Sequence, residues 1–242
     1  MTKINELLNT LNKRYPFIDA EKWDNVGLLV GSEDNPINQV YLSLDINSSL
    51  LDSIPGGSTL ITHHPLIFKP LKNITYSSYH GKILKQLIQK DINYIVLHTN
   101  YDKHFLNKYF IKDILGYDLS IGDDFLDYFN TDKISILDFK KELELKMLSE
   151  KEFNFVDSGK DIQKVAVCTG SGSSYLNAAI AAGADLLITG DITYHVAMEA
   201  KELGLSLIDI THYHSEKWFG DDLSKDFGWI KLDSENPFGK EL

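Results

Sequence analysis

The chain has 242 residues, 43% of them hydrophobic and 24% charged, a balance that supports a folded core and argues against long disorder. Lys and Arg total 24 against 35 Asp and Glu, and the net charge of −11 disfavours non-specific binding to nucleic acid or to a membrane surface. One cysteine, Cys168, excludes a disulfide framework and a zinc site built on thiolates, and fits a reducing cytoplasm, the expected location.

Within Met1 to Pro16, apolar Ile4, Leu7, Leu8 and Leu11 are separated by polar residues, which predicts an amphipathic helix rather than a secretory signal. Trp23-Asp24-Asn25-Val26-Gly27 then precedes a strand-like Leu28-Leu29-Val30-Gly31. Asp24 and Asn25 suit an Asx-type turn, and Trp23 suits a core or an interface. Val40–Leu44 reads as a strand, Asn47 as the cap of a short helix through Leu51, and Leu60–Thr62 as a second strand entering His63-His64-Pro65. A helix over about Tyr79 to Lys90 places Ile83, Leu84, Leu87 and Ile88 on one face, and Tyr94–Leu97 is a third strand entering His98.

The same order returns later in the chain. Val165–Cys168 is a strand, Ser173–Ala182 a helix ending at Gly183, and Asp185–Thr189 a strand. A helix over about Ile192 to Leu203 ends at Gly204, where a left-handed cap is expected, and Ser206–Ile210 runs into His212. The stretch Leu176 to Ile188 is the most apolar, but it is too short to span a membrane and contains Asn177 and Asp185. These alternations predict an α/β fold of two similar repeats: 1–121, then a charged connector or insert at 122–159 with a helix near Leu137–Leu148, then 160–242.

Open α/β sheets bind ligands beyond the carboxyl ends of their strands. His63, His64, His98 and His212 each follow an apolar run, and Asp102 and Glu216 stand four residues after His98 and His212. Imidazole and carboxylate together suit zinc, iron, manganese or nickel. Neighbours in a strand point to opposite faces, so His63 and His64 serve one site only if the strand has ended, which Pro65 favours. His80 and His104 read as solvent-facing, His195 as surface or pocket wall, and His214 as surface or a supporting contact. Asp191 either caps a helix or lines the cleft. Thr169–Ser174 resembles a phosphate cradle but lacks a P-loop lysine, so a tight turn is the simpler reading.

Several of these segments together resemble the GTP cyclohydrolase 1 type 2 homologue family, also called NGG-interacting-factor-three-like proteins. They are Trp23-Asp24-Asn25-Val26-Gly27-Leu28, Thr62-His63-His64-Pro65-Leu66, His98-Thr99-Asn100-Tyr101-Asp102, Thr189-Gly190-Asp191 with His195, and His212 with Glu216. The resemblance implies two intertwined α/β repeats with mixed sheets and a dinuclear divalent-metal site in the cleft between them. It also implies a homohexamer with the sites facing an internal cavity. The implied ligands are His63, His64, Asp102, His212 and Glu216, with Glu216 bridging two ions. His98 lines the site and is the candidate catalytic acid–base. The family's last motif reads Gly-His-His-x-Thr-Glu, whereas Thr211-His212-Tyr213-His214-Ser215-Glu216 stands here, with Tyr213 in place of the second histidine.

The implied activity is metal-dependent hydrolysis, in which an activated water attacks C8 of GTP or a related nucleotide and releases formate. The alternative is a metal carrier or a regulatory interaction protein without turnover.

Overall fold

Runs of β-branched and large aliphatic residues form the strands, and the breaks between them are set by identifiable caps. The computed structural model describes residues 2–149 and 152–238. In chain order the strands are β1 (Gly27–Val30), β2 (Val40–Ser43), β3 (Thr59–Thr62), β4 (Asn93–Val96), β5 (Asp127–Ile134), β6 (Asn154–Val156), β7 (Ile162–Val167), β8 (Leu186–Thr189), β9 (Ser206–Asp209) and β10 (Ile230–Lys231). Asn47 Oδ1 accepts the Leu50 N–H to start helix Ser48–Ser53, and Ser78 Oγ accepts the Gly81 N–H to start Tyr79–Gln89. Gly204, at φ 73°, ends Tyr194–Leu203 in the expected left-handed cap.

The chain divides into two units, Met1–His104 with Phe219–Leu242, and Phe105–Trp218. In the first, a five-stranded mixed sheet has the order β1-β4-β3-β2-β10. Strands β4, β3, β2 and β10 run parallel, and β1 is antiparallel to β4. The late strand β10 returns to this first sheet, the intertwining that the family resemblance implied. Leu60, Tyr94 and Val96 pack with Leu84 and Leu87 of helix Tyr79–Gln89 to make the core.

The second unit holds a mixed sheet of order β5-β7-β8-β9-β6, with β7, β8 and β9 parallel and both edges antiparallel. Both faces are covered. Val165, Val167, Leu186 and Ile188 join Phe139 and Leu143 on one side, while Ala166, Cys168 and Leu187 join Leu176, Ala179 and Ala200 on the other. Written from its other edge, this sheet is β6-β9-β8-β7-β5, which repeats β1-β4-β3-β2-β10 with an antiparallel strand on the third member of each parallel trio. The sheets differ at the remaining edge, where β10 is parallel to β2 and β5 antiparallel to β7.

Segment 122–159 supplies β5, helix Ile136–Lys146 and β6. On β5, at one sheet edge, Asp132 and Lys133 are exposed, and β6 at the other edge is only three residues long, so neither strand reads as an apolar run. After β4 in the chain, a helical run over 99–114 alternates α-turns with π-turns, and Asp102 opens the first π-turn. Among the described residues no helix is long and apolar enough to cross a membrane.

Candidate metal centre

In the first unit β3 ends at Thr62, so His63 and His64 lie beyond the pleat, with their N–H groups donating to Ser43 and Leu44 carbonyls at 3.2 and 3.1 Å. The Tyr94 hydroxyl holds this turn: it accepts the Leu66 N–H at 2.9 Å and hydrogen-bonds Thr62 Oγ1 at 2.8 Å. Burial pushes that phenol well above its ordinary pKa, so it stays a neutral donor and acceptor. The adjacent histidines can therefore share one site. One ligand atom from each of His63, His64 and His98 lies within 4.8 Å of the others.

Each ring is fixed through Nδ1. His63 Nδ1 is 2.9 Å from the Leu97 carbonyl, His64 Nδ1 is 2.8 Å from Asp45 Oδ1, and His98 Nδ1 is 2.9 Å from Asp24 Oδ1. A carbonyl or carboxylate oxygen only accepts, so Nδ1 carries the proton and Nε2 presents its lone pair. His63 Nε2 in turn lies 3.3 Å from Asp102 Oδ1. His63 is fully buried and packs edge-on against Tyr101 and at a tilt against Phe219.

Asp24 is the most elaborately held of these acceptors. Its Oδ1 takes His98 Nδ1 and the Asn25 N–H, and its Oδ2 takes the Thr99 N–H at 3.1 Å and the Thr99 hydroxyl at 2.5 Å. Burial alone would raise its pKa, but these donors and the neighbouring imidazole bring it down to about 2. It is a permanent anion aimed at His98 rather than the simple turn residue expected from sequence. Trp23, expected in a core or an interface, is 55% exposed, with its ring 5.4 Å from Phe68 and 6.2 Å from His98.

In the second unit His212 and Glu216 occupy helix His212–Glu216, where a spacing of four puts them on one face. His212 Nδ1 is 2.7 Å from Asp191 Oδ2 and Nε2 is 3.0 Å from Glu216 Oε2. Burial would lower the pKa of this imidazole, but the two carboxylates outweigh it and raise it to about 9. Two backbone outliers flank the pair: Asp191 at φ 56° and Thr211 at φ 62°, the latter a β-branched residue for which this region is costly. Asp209 over-determines both, accepting the Thr211 N–H at 2.9 Å and the Ile192 N–H at 3.2 Å. A Cβ on Gly170, itself at φ 69°, would stand 2.3 Å from Glu216 Oε1, so the chain passes directly against that carboxylate.

The first unit thus gathers His63, His64, His98 and Asp102, and the second gathers His212 and Glu216. Asp191 proves to be an orienting acceptor for His212. Its place just after the apolar run Asp185–Thr189 leaves a helix cap or the cleft open to it in sequence. Asp45 carried no such signal. The glycine-rich turn is a turn: the Gly170 and Gly172 N–H groups donate to Ser215 Oγ and Thr189 Oγ1 inside the unit. His195 is exposed, His80 is half-buried, and His104, expected to face solvent, is half-buried against Asp19 at 2.7 Å. His214 bonds Thr211 Oγ1 and lies edge-on to Phe153 and Tyr213, so it braces the helix start.

The donor chemistry fits a divalent cation. Four imidazoles have Nδ1 on an oxygen acceptor, the arrangement by which proteins orient histidine ligands, and each unit sets a carboxylate beside an Nε2, Asp102 at His63 in the first and Glu216 at His212 in the second. The model of the Duf34/NIF3 (NGG1p interacting factor 3) family matches residues 2–234. The chain belongs to the Duf34/NIF3 family. This Duf34/NIF3 chain is 40% identical to the GTP cyclohydrolase 1 type 2 homolog of Campylobacter jejuni, with 98% of each chain covered. It is also 40% identical to the GTP cyclohydrolase 1 type 2 of Helicobacter pylori, with 90% of this chain and 89% of that one covered. Among solved structures it resembles a Staphylococcus aureus hypothetical protein at 27% identity and TM-score 0.85, with 99% of both chains covered.

Proposed function

We propose that this Duf34/NIF3 protein is a divalent-metal-dependent hydrolase of a guanine nucleotide or a related heteroaromatic substrate, with water attacking the carbon between two ring nitrogens. The observation that carries this reading is the common anchoring of His63, His64, His98 and His212 through Nδ1, which leaves Nε2 as the atom each ring can turn to ligation or proton transfer. The activity named for its Helicobacter relative supports the substrate class. On this reading His63, His64, Asp102, His212 and Glu216 hold two ions, and the chain assembles as a hexamer. When bound, such ions supply Lewis acidity that brings the ionisation of water toward neutral pH.

The chain's own residues supply the proton transfer. His98 Nδ1 donates to Asp24, so Nε2 is the atom that takes a proton from the attacking water and returns it to the ring nitrogen leaving the attacked carbon. A second water, deprotonated in the same way, attacks the resulting formamide, and the second nitrogen leaves with the proton as formate is released. Asp24 fixes the tautomer and stabilises the imidazolium as it forms. Exposed Trp23 and Phe68 beside His98 offer apolar faces to a planar ring.

The decisive experiment measures metal per chain by plasma mass spectrometry on tag-free protein and then formate release from GTP. Two ions with formate release are expected, and His98→Ala should abolish release while keeping the metal. A second role for His98 has its own support, because its ligand atom clusters with those of His63 and His64. Loss of an ion in His98→Ala would make it a ligand instead. Metal uptake without formate release would move weight to a carrier or another substrate.

A further inference from the structure

Beyond the histidines, the first unit contains a feature that the proposed chemistry does not use. Residues 53–90 include no Asp or Glu, although 35 of the 242 residues are acidic, and they include five lysines and three histidines. Two of those lysines already have partners: Lys90 Nζ bonds the Leu51 and Ile54 carbonyls, and Lys85 Nζ lies 4.9 Å above the Tyr76 ring. Lys69 and Lys72 are exposed and make no ion pair or hydrogen bond among the described residues. Both line a cavity of about 380 Å³ with Phe68, Asn73, Ser78 and His80, and no carboxylate lines it.

The cavity is continuous with the aromatic surface beside His98. Phe68 lines it and also stands 5.4 Å from Trp23 and 6.4 Å from His98, ring centre to ring centre. An apolar platform next to the candidate acid–base therefore leads into a pocket of cationic and hydrogen-bonding groups. A volume of this size suits a small-molecule moiety. Lysine ammonium groups recognise phosphate as point charges, and an Asn amide and a Ser hydroxyl supply further hydrogen bonds.

We propose that this cavity binds the phosphate chain of a substrate whose planar ring rests on Trp23 and Phe68. Lys69 and Lys72 are its specificity determinants. The assignment of the reacting end rests on the hydrolase reading above, while the anion site stands on its own residues.

The test uses isothermal titration calorimetry of the full metal-stripped chain with sodium tripolyphosphate, because stripping removes any metal–phosphate contact. Binding is expected to weaken as KCl rises, to fall at least thirtyfold in the Lys69→Gln/Lys72→Gln double variant, and to persist in Lys225→Gln, an exposed lysine elsewhere in the unit. Guanosine and GTP form the second arm, read by tryptophan fluorescence. Both should quench the wild type, Trp23→Phe should remove the quench, and the double lysine variant should bind guanosine normally while losing the advantage of GTP over guanosine. Equal tripolyphosphate affinity in the wild type and the double variant would overturn the proposal. Failure of the chain to take up metal, with lysine-dependent tripolyphosphate binding intact, would remove the hydrolase reading and leave this one.

Discussion

Replacing Asp24 by Asn tests whether orientation of His98 matters, because it removes a charge and one acceptor without changing size. Four donors converge on this carboxylate: His98 Nδ1 and the Asn25 N–H on Oδ1, the Thr99 N–H and hydroxyl on Oδ2. An amide has one oxygen and one NH2. If the oxygen takes the Oδ2 position, NH2 faces both His98 Nδ1–H and the Asn25 N–H. If it takes the Oδ1 position, NH2 faces the Thr99 N–H. Either orientation places donor against donor in a side chain that is fully buried. A buried donor left unsatisfied costs about 1–3 kcal/mol, so a loss of about 2 kcal/mol is expected. For a chain of this size that is a fall of roughly 4–8 °C in Tm.

The first orientation has a further consequence. His98 escapes the clash by moving its proton from Nδ1 to Nε2, which removes the lone pair needed for ligation or for base catalysis. Loss of such an orienting partner typically costs about 10–100-fold in metal affinity or activity. The checks are calorimetric Tm, metal content, formate release from GTP, and the 15N shifts of the His98 ring, which report the tautomer directly. An Asp24→Asn protein with the wild-type Tm, the Nδ1–H tautomer and full activity would refute the reasoning, since the carboxylate would then be neither a structural nor an electronic requirement.

Gly170→Ala should lower metal content and Tm together, because a Cβ 2.3 Å from Glu216 Oε1 displaces the carboxylate and the φ of 69° costs about 1 kcal/mol for Ala. Titration with a divalent ion and a thermal scan check it, and wild-type metal affinity in the variant would count against Glu216 as a ligand. Asp222→Ala should destabilise the protein by about 3–5 kcal/mol, read by urea denaturation. It leaves the hydroxyls of Tyr15 and Tyr101 and the Arg14 guanidinium without their shared buried acceptor. A change below about 1 kcal/mol would show that this network is not what supports Tyr101 against His63.

What could be read from sequence follows a physical division. Strands such as Thr59–Thr62 and Leu186–Thr189 are buried on both faces, so they appear as uninterrupted apolar runs, and the histidines stand out because each ends one. The i, i+4 spacing of His212 and Glu216 was equally visible, since a helix puts both on one face. Strands β5 and β6 were not visible, because β5 carries exposed polar and charged residues at a sheet edge and β6 is only three residues long, so neither has that apolar signature. The orienting carboxylates were harder still. Asp45 lies 19 residues before His64 and Asp24 lies 74 before His98, so only the folded sheet brings them into contact. At Asp24 the local signal pointed to a turn, and the residue's long-range contact outweighs it. Asp191 and Thr211 take backbone conformations that their residue types disfavour, and sequence propensity is least informative at such positions.

The charges make the lysine cavity more than an addition to the proposed site. Asp24, Asp45, Asp102, Asp191 and Glu216 each touch one of the site histidines and bring five negative charges with them. Two divalent ions would bring four positive charges, leaving the proposed centre close to neutral and slightly negative. A triphosphate carries roughly three to four further negative charges, and the chain as a whole has a net charge of −11. Such a substrate would meet little net attraction at the metals themselves. A cationic region elsewhere along the substrate would supply that attraction, and Lys69 and Lys72 line the cavity that shares Phe68 with the aromatic platform. On this reasoning the double lysine variant should raise KM for a nucleoside triphosphate far more than for the nucleoside, with kcat at saturation little changed. A matching fall in kcat would mean that the lysines act on the reacting centre itself.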